Sequence, residues 1–172
     1  MFWCLSFVFM TFGCVISTAS KDSEIVEDLL NIILKLKGTS EFETRSIPAF
    51  TVTLSQDFTP AANSFIKFDK VKINIGHHYS PDTGIFTAPK SGLYTFSATI
   101  RSNDHKHLHC DLMVNDIPYG KVYGINYSTG TINAVVQLKK GDKVSIRKDN
   151  TYGSDESMIG RDWSIFSGYL IA

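Results

Sequence analysis

The sequence predicts an all-β protein, an antiparallel sandwich preceded by one short helix. Three observations point there. After Pro48 apolar and polar residues alternate at a period of two, clusters of Gly, Pro, Asn and Asp separate those runs, and a helical period occurs once, ahead of them. With no second helical segment there is nothing to build βαβ crossovers from, so a parallel α/β fold is excluded.

Composition sets the bounds. The chain has 172 residues, 17 Lys plus Arg against 17 Asp plus Glu, and 43% hydrophobic content. That length suits a single domain with a sizeable core. Balanced charge argues against a nucleic-acid partner, which calls for a basic excess. Aromatics at 12% argue against disorder, and three cysteines are too few for a disulfide scaffold.

The elements follow in order. From Leu5 to Ile16 the chain is almost wholly apolar, small residues follow at Ser17 and Ala19, and the first charge is Lys21. A bilayer span needs about twenty apolar residues, so the run is too short to cross and reads instead as a secretory signal over 1–19. Cleavage after Ala19 removes Cys4 and Cys14 and leaves Cys110, which reads as a buried, inert thiol between Leu108 and Leu112.

Residues 20–47 hold the helix and a linker. Ser23 caps a helix running to Lys37, with Glu24 and Glu27 in its first turn and Lys35 and Lys37 before Gly38. Ile25, Leu29, Ile32 and Leu36 form a heptad seam. With Leu29 and Leu36 at a, it favours three or four strands; with Val26 and Ile33 at a, it favours two. About two heptads do not hold a coiled coil alone, so the helix assists an oligomer whose main interface lies elsewhere. Residues 39–48 are polar linker.

Strands follow to the C-terminus. Phe50, Val52 and Leu54 alternate with Thr51, Thr53 and Ser55; Val71, Ile73 and Ile75 with Lys70, Lys72 and Asn74; Leu108, Cys110, Leu112 and Val114 with His107, His109, Asp111 and Met113; and Val144 and Ile146 with Lys143, Ser145 and Arg147. Turns fall at 80–84, at 88–92, at Asn115-Asp116 and at 140–142.

These details go beyond a generic sandwich. Ala49-Phe50, then Phe68, Val71, Asn74, Gly76 and Tyr79, then Thr83-Gly84-Ile85-Phe86-Thr87-Ala88-Pro89, then Gly92-Leu93-Tyr94-Thr95-Phe96 run in a specific order. Leu138, Gly141-Asp142-Lys143-Val144 and the closing Phe166-Ser167-Gly168-Tyr169-Leu170 continue it. Together they resemble the globular head domain of the complement C1q family over about residues 48–172. The resemblance implies a ten-stranded jelly roll of the tumour-necrosis-factor type, a trimer, and a secreted recognition module rather than an enzyme. It does not extend to a collagen tail, because no Gly-X-Y run occurs.

Several constellations are candidates for binding. Alternation places His105, His107, His109 and Asp111 on one strand face, opposite Leu108 and Cys110. Residues two apart on a strand are about 6.5 to 7 Å apart, near enough for His107, His109 and Asp111 to share a zinc-like ion. Some family members bind calcium, which the resemblance extends to Asp104, Asp111, Asp116 and Asp149 as oxygen donors. Lys139, Lys140, Lys143, Arg147 and Lys148 form a basic cluster suited to lipopolysaccharide phosphate or sulfated glycans. Trp163, Tyr119, Tyr123, Tyr127 and Tyr152 lie in turn-rich stretches and suit stacking on sugar faces. Asn126-Tyr127-Ser128 is an N-glycosylation acceptor. Motifs of hydrolases, metalloproteases, phosphate-binding loops and dithiol redox centres are missing from the sequence.

The resulting expectation is a secreted homotrimer, with higher oligomers through the helix, that recognises microbial polysaccharide or lipopolysaccharide in innate immunity. Its alternatives are a ligand for a host cell-surface receptor and an extracellular-matrix component. No nucleic acid, membrane span or certain cofactor is expected.

Overall fold

The computed structural model describes residues 25–32, 47–151 and 156–172. Contacts divide the chain into two units, Met1–Arg45 and Ser46–Ala172. In the first, helix α1 (25–32) carries Ile25, Val26, Leu29, Leu30 and Ile32, all of them more than half exposed. The expected signal at 1–19, the rest of the helix expected over 23–37 and the linker residues 39–46 lie outside the described residues.

The second unit is a sandwich of two five-stranded antiparallel sheets. Its strands are β1 (Ala49–Thr53), β2 (Lys70–Ile75), β3 (Tyr79–Ser80), β4 (Ile85–Thr87), β5 (Gly92–Arg101), β6 (His107–Val114), β7 (Ile117–Ile125), β8 (Thr129–Leu138), β9 (Lys143–Lys148) and β10 (Ile165–Leu170). One sheet runs β2-β1-β10-β5-β8 and the other β3-β4-β9-β6-β7. Sequence neighbours are seldom sheet neighbours, so the chain swings repeatedly from one layer to the other. This is the expected jelly roll.

Alternation explains the layers. In β5, Tyr94, Phe96, Ala98 and Ile100 are at most 1% exposed, while Thr95, Ser97 and Thr99 between them are half-buried on the outer face. Phe50 stacks on Tyr79 and Phe86 at ring-centroid distances of 5.1 Å and meets Phe166 edge-on at 4.9 Å, binding both layers into one aromatic core. β2 departs from its pattern. It is an edge strand whose register slips at Thr51/Val52, and its Val71 and Ile73 stay exposed.

The turns carry the chemistry their residues suit. Gly84 has φ +77°, and a Cβ there would lie 2.4 Å from the Ile66 carbonyl oxygen, so conformation and space both require glycine. Asn115-Asp116 joins β6 to β7 with both residues at positive φ, and Asn126-Tyr127 opens the β7–β8 turn in the same way.

Candidate ligand-binding surfaces

β6 lies between β7 and β9, and its outward side chains form the first candidate. The His107 and His109 rings are parallel within 3°, with centroids 6.2 Å apart. The Tyr123 hydroxyl lies 2.9 Å from His107 Nδ1, and its ring centroid lies 4.5 Å from that of His109. Glu156 Oε1 lies 2.5 Å from His109 Nδ1, and the His109 amide donates to Glu156 Oε2 at 2.9 Å. The expected four-residue face is corrected at one end. β6 begins at His107, and His105 sits in the preceding turn with φ 51°. Asp111 is buried, and its carboxylate accepts from Lys121 Nζ at 3.0 Å. Among the described residues no three His, Cys, Asp or Glu side chains converge on one point.

The basic cluster is split by the fold. Lys148 is 1% exposed, so it is no surface cation. Its ammonium lies 2.6 Å from Glu156 Oε2 and donates to the Asp149 carbonyl at 2.8 Å. Burial raises the Glu156 carboxyl, but hydrogen bonds from Lys148 and from the His109 amide and ring outweigh it and hold the group below the usual carboxylate range. Arg147 is half-buried opposite Asp111, and its buried Nε has no hydrogen-bond partner among the described residues.

The calcium expectation meets this network too. Asp149 and Asp111 both bind Lys121, whose ammonium sits between them at 2.5 and 3.0 Å. A cation is therefore already in place there. Asp104 and Asp116 lie in turns at opposite ends of β6. Of the four aspartates, Asp111 and Asp149 are thus paired with Lys121, and Asp104 and Asp116 stand apart from them.

Lys139, Lys140 and Lys143 remain exposed at the β8–β9 turn. Lys140 and Lys143 line a cleft of about 710 Å³ together with His77 and His78 from the β2–β3 connection. The two histidines are the site residues that sequence reading missed. They are more than sixty positions from the lysines, and no local pattern joins them.

Loops at the other end of β5 form a cation–aromatic platform. The Arg101 guanidinium carbon lies 4.1 Å from the Trp163 ring centroid and 6.0 Å from that of Tyr127. Arg101 Nε donates to the Tyr127 carbonyl at 3.1 Å, and its terminal amino groups have no partner among the described residues. Trp163 is 56% exposed and Tyr127 48%. Asp162, just before Trp163, accepts from Thr53 Oγ1 at 2.5 Å and from Lys70 at 2.8 Å, which ties this turn to β1 and β2. Arg101 is the partner the aromatic list lacked; it is the last outward residue of an alternating strand, a signal legible only once the loops are placed.

The other candidates have simpler settings. The Tyr119 hydroxyl donates to the Val135 carbonyl at 2.9 Å. Asn126 is exposed at its turn, and Tyr152 lies outside the described residues. Cys110 is a free, buried thiol, pushed up by burial.

Comparison with known proteins converges on the fold. The C1q domain pattern matches residues 49–171. The chain is 32% identical over 114 residues to the heavy metal-binding protein HIP of Mytilus edulis, covering 64% of this chain and 53% of that protein. It is 32% identical over 131 residues to the collagen alpha-1(X) chain of Mus musculus, covering 73% of this chain and 19% of that one. It thus spans about half the length of the first relative and a fifth of the second. The globular domain of zebrafish complement 1qA protein superposes with a TM-score of 0.61 at 22% identity, over 73% of this chain and 98% of that domain. Such domains are recognition or ligand modules, and no helix among the described residues is long and apolar enough to cross a membrane. With its pattern running from the first strand to the last on a ten-stranded jelly roll, the chain belongs to the C1q domain family.

Proposed function

We propose that the protein is a secreted homotrimeric recognition factor that binds microbial surface polysaccharide or lipopolysaccharide in innate immunity. The Trp163–Arg101–Tyr127 platform carries the reading. An exposed indole gives a flat apolar face for a sugar ring, and the adjoining guanidinium supplies unpaired donors for hydroxyls, carboxylates or phosphates. Arg101 is six residues along β5 from Thr95, about 20 Å away, so the platform is clear of the shallow depression lined by Thr95, Ser97 and Tyr169 on the outer face of this sheet. Three platforms on one trimer raise avidity for a repeating surface by about 10² to 10⁴ without new contacts.

The test is binding of the purified protein to lipopolysaccharide, peptidoglycan, mannan and host glycans, with calcium and with EDTA. Selective binding that survives EDTA and falls about tenfold or more in Trp163→Ala supports the reading. Failure of the folded protein to bind any of them overturns it and favours a ligand for a host receptor.

A second reading is a divalent-metal site at His107 and His109. The mussel relative's name and the parallel imidazoles 6.2 Å apart favour it. Calorimetry with Zn²⁺ alone tests it: binding lost in the His107→Ala/His109→Ala double variant supports the site, and binding left intact removes it.

A further inference from the structure

The cleft between the β3–β4 hairpin and the β8–β9 turn has a floor of Ile85, Ala88 and Pro89. No carboxylate lines it. Asp82 and Asp142 each neighbour a lining residue along the chain without lining the cleft themselves, and Asp142 is held by its own turn: Oδ1 accepts from Asn115 Nδ2 at 3.0 Å and Oδ2 from the Lys139 amide at 2.7 Å. Lys70, Lys72, Lys121, Lys148 and Arg161 each face a carboxylate. Lys140 and Lys143 have no such partner among the described residues, and they are the cations that share this cleft.

His78 is built into the same cleft. Gly76 has φ +77°, and a Cβ there would lie 2.3 Å from His78 Nε2, so the imidazole occupies the space a side chain would fill. The His78 carbonyl accepts from the Thr87 amide at 2.8 Å, which ties the residue to the hairpin that forms the floor. The turn beyond is fixed as well, with the Gly141 amide donating to the Ala88 carbonyl at 2.8 Å and the Ala88 amide to Asp142 at 2.9 Å. Two ammonium groups from one segment and two imidazoles from a distant one thus converge over an apolar surface with no carboxylate among the lining residues.

We propose that this cleft binds the sulfate or phosphate monoester of a sugar, with the oxyanion between Lys140 and Lys143 and the ring on the floor beside His78. Lysine ammonium groups are compact charges with three donors each, suited to a tetrahedral oxyanion. A cleft of about 710 Å³ falls within the range that holds small ligands. The site stands apart from the Trp163 platform, at the opposite end of β5, and does not depend on it. His78 is held below the usual imidazole range by burial and then by neighbouring His77. It faces Lys140, Lys143 and His77 with no acid among the lining residues, so acidification adds positive charge to the cleft.

Calorimetry on the full-length protein tests the site with glucose 6-sulfate, glucose 6-phosphate, glucose and inorganic phosphate as probes. Saturable binding of either ester, but not of glucose, is expected, and the ester that binds names the source. Lys140→Gln/Lys143→Gln weakens it about tenfold or more, with the single Lys140→Gln variant serving if the double fails to fold. Trp163→Ala leaves it unchanged, so a failed platform and a failed cleft are told apart. Lowering the pH from about 7.5 to about 5.5 tightens binding of the sulfate ester, whose own charge is constant there. Absence of binding to both esters, wild-type affinity in Lys140→Gln, or inorganic phosphate binding as tightly as the esters overturns the proposal.

Discussion

At the scale of single residues, a group with a large expected energetic consequence is one the sequence presents as a surface charge. Lys148 is buried against Glu156, and Glu156 in turn holds the His109 ring and amide. Removing one partner of a buried ion pair strands the other charge, so Lys148→Ala or Glu156→Ala is expected to cost about 3–5 kcal/mol in urea denaturation. The paired Lys148→Met/Glu156→Leu variant is expected to recover most of that loss. The pH dependence has a definite sign. Because the folded Glu156 carboxyl lies below its ordinary range, its stabilisation is complete above the unfolded pKa of about 4.3 and is lost as pH falls through the lower folded value. Acid titration of stability should therefore be shallower in Glu156→Gln than in wild type. Cys110 gives a simpler test: buried and with its thiol pushed up, it should not react with a thiol reagent until the protein unfolds.

At the scale of elements, most of the fold was legible because strand signals are local. Alternation along β5 and the turn residues at Gly84 and Asn115-Asp116 say which side chains go inward and where the chain reverses. β1 shows what that alternation accomplishes. Phe50, its inward residue, touches rings from β3, β4, β5 and β10, so Phe50→Ala is expected to destabilise by about 3–5 kcal/mol, read as a shift in the denaturation midpoint with the slope unchanged. The candidate sites were less legible. His105 fits the same alternation as His107 and His109, yet the chain turns before β6 begins, and a period of two does not reveal where a strand starts. Lys148 fits a basic run, but it is buried with its ammonium against the Glu156 carboxylate.

At the scale of the whole molecule, the proposed trimer needs a face. The outer surface of the β2-β1-β10-β5-β8 sheet has exposed Tyr169 and Val135 among small polar residues, with Thr95, Ser97, Asn133 and Ser167 forming a shallow depression of about 210 Å³ beside Tyr169. A flat surface with an aromatic anchor and few charges suits self-association. Tyr169→Glu would set three charges together at such an interface, so sedimentation should show the variant as a monomer while its circular dichroism remains that of a β-sandwich. A variant that stays trimeric would place the interface elsewhere. Loss of the trimer should also lower binding to a repeating glycan surface far more than binding to a soluble monosaccharide.

The amino-acid sequence by itself determined the layers, the turns and the family, because period-two alternation and turn residues act between neighbours along the chain and their order is specific. Only the tertiary structure decided which charges remain available. His77 and His78 meet Lys140 and Lys143, and Arg101 meets Trp163 and Tyr127, because the sheets bring distant segments together, while Lys148 is withdrawn from solvent by burial against Glu156. A side chain's charge is written in the sequence, but its partner and its solvent are set by whichever remote segment the sheets bring beside it.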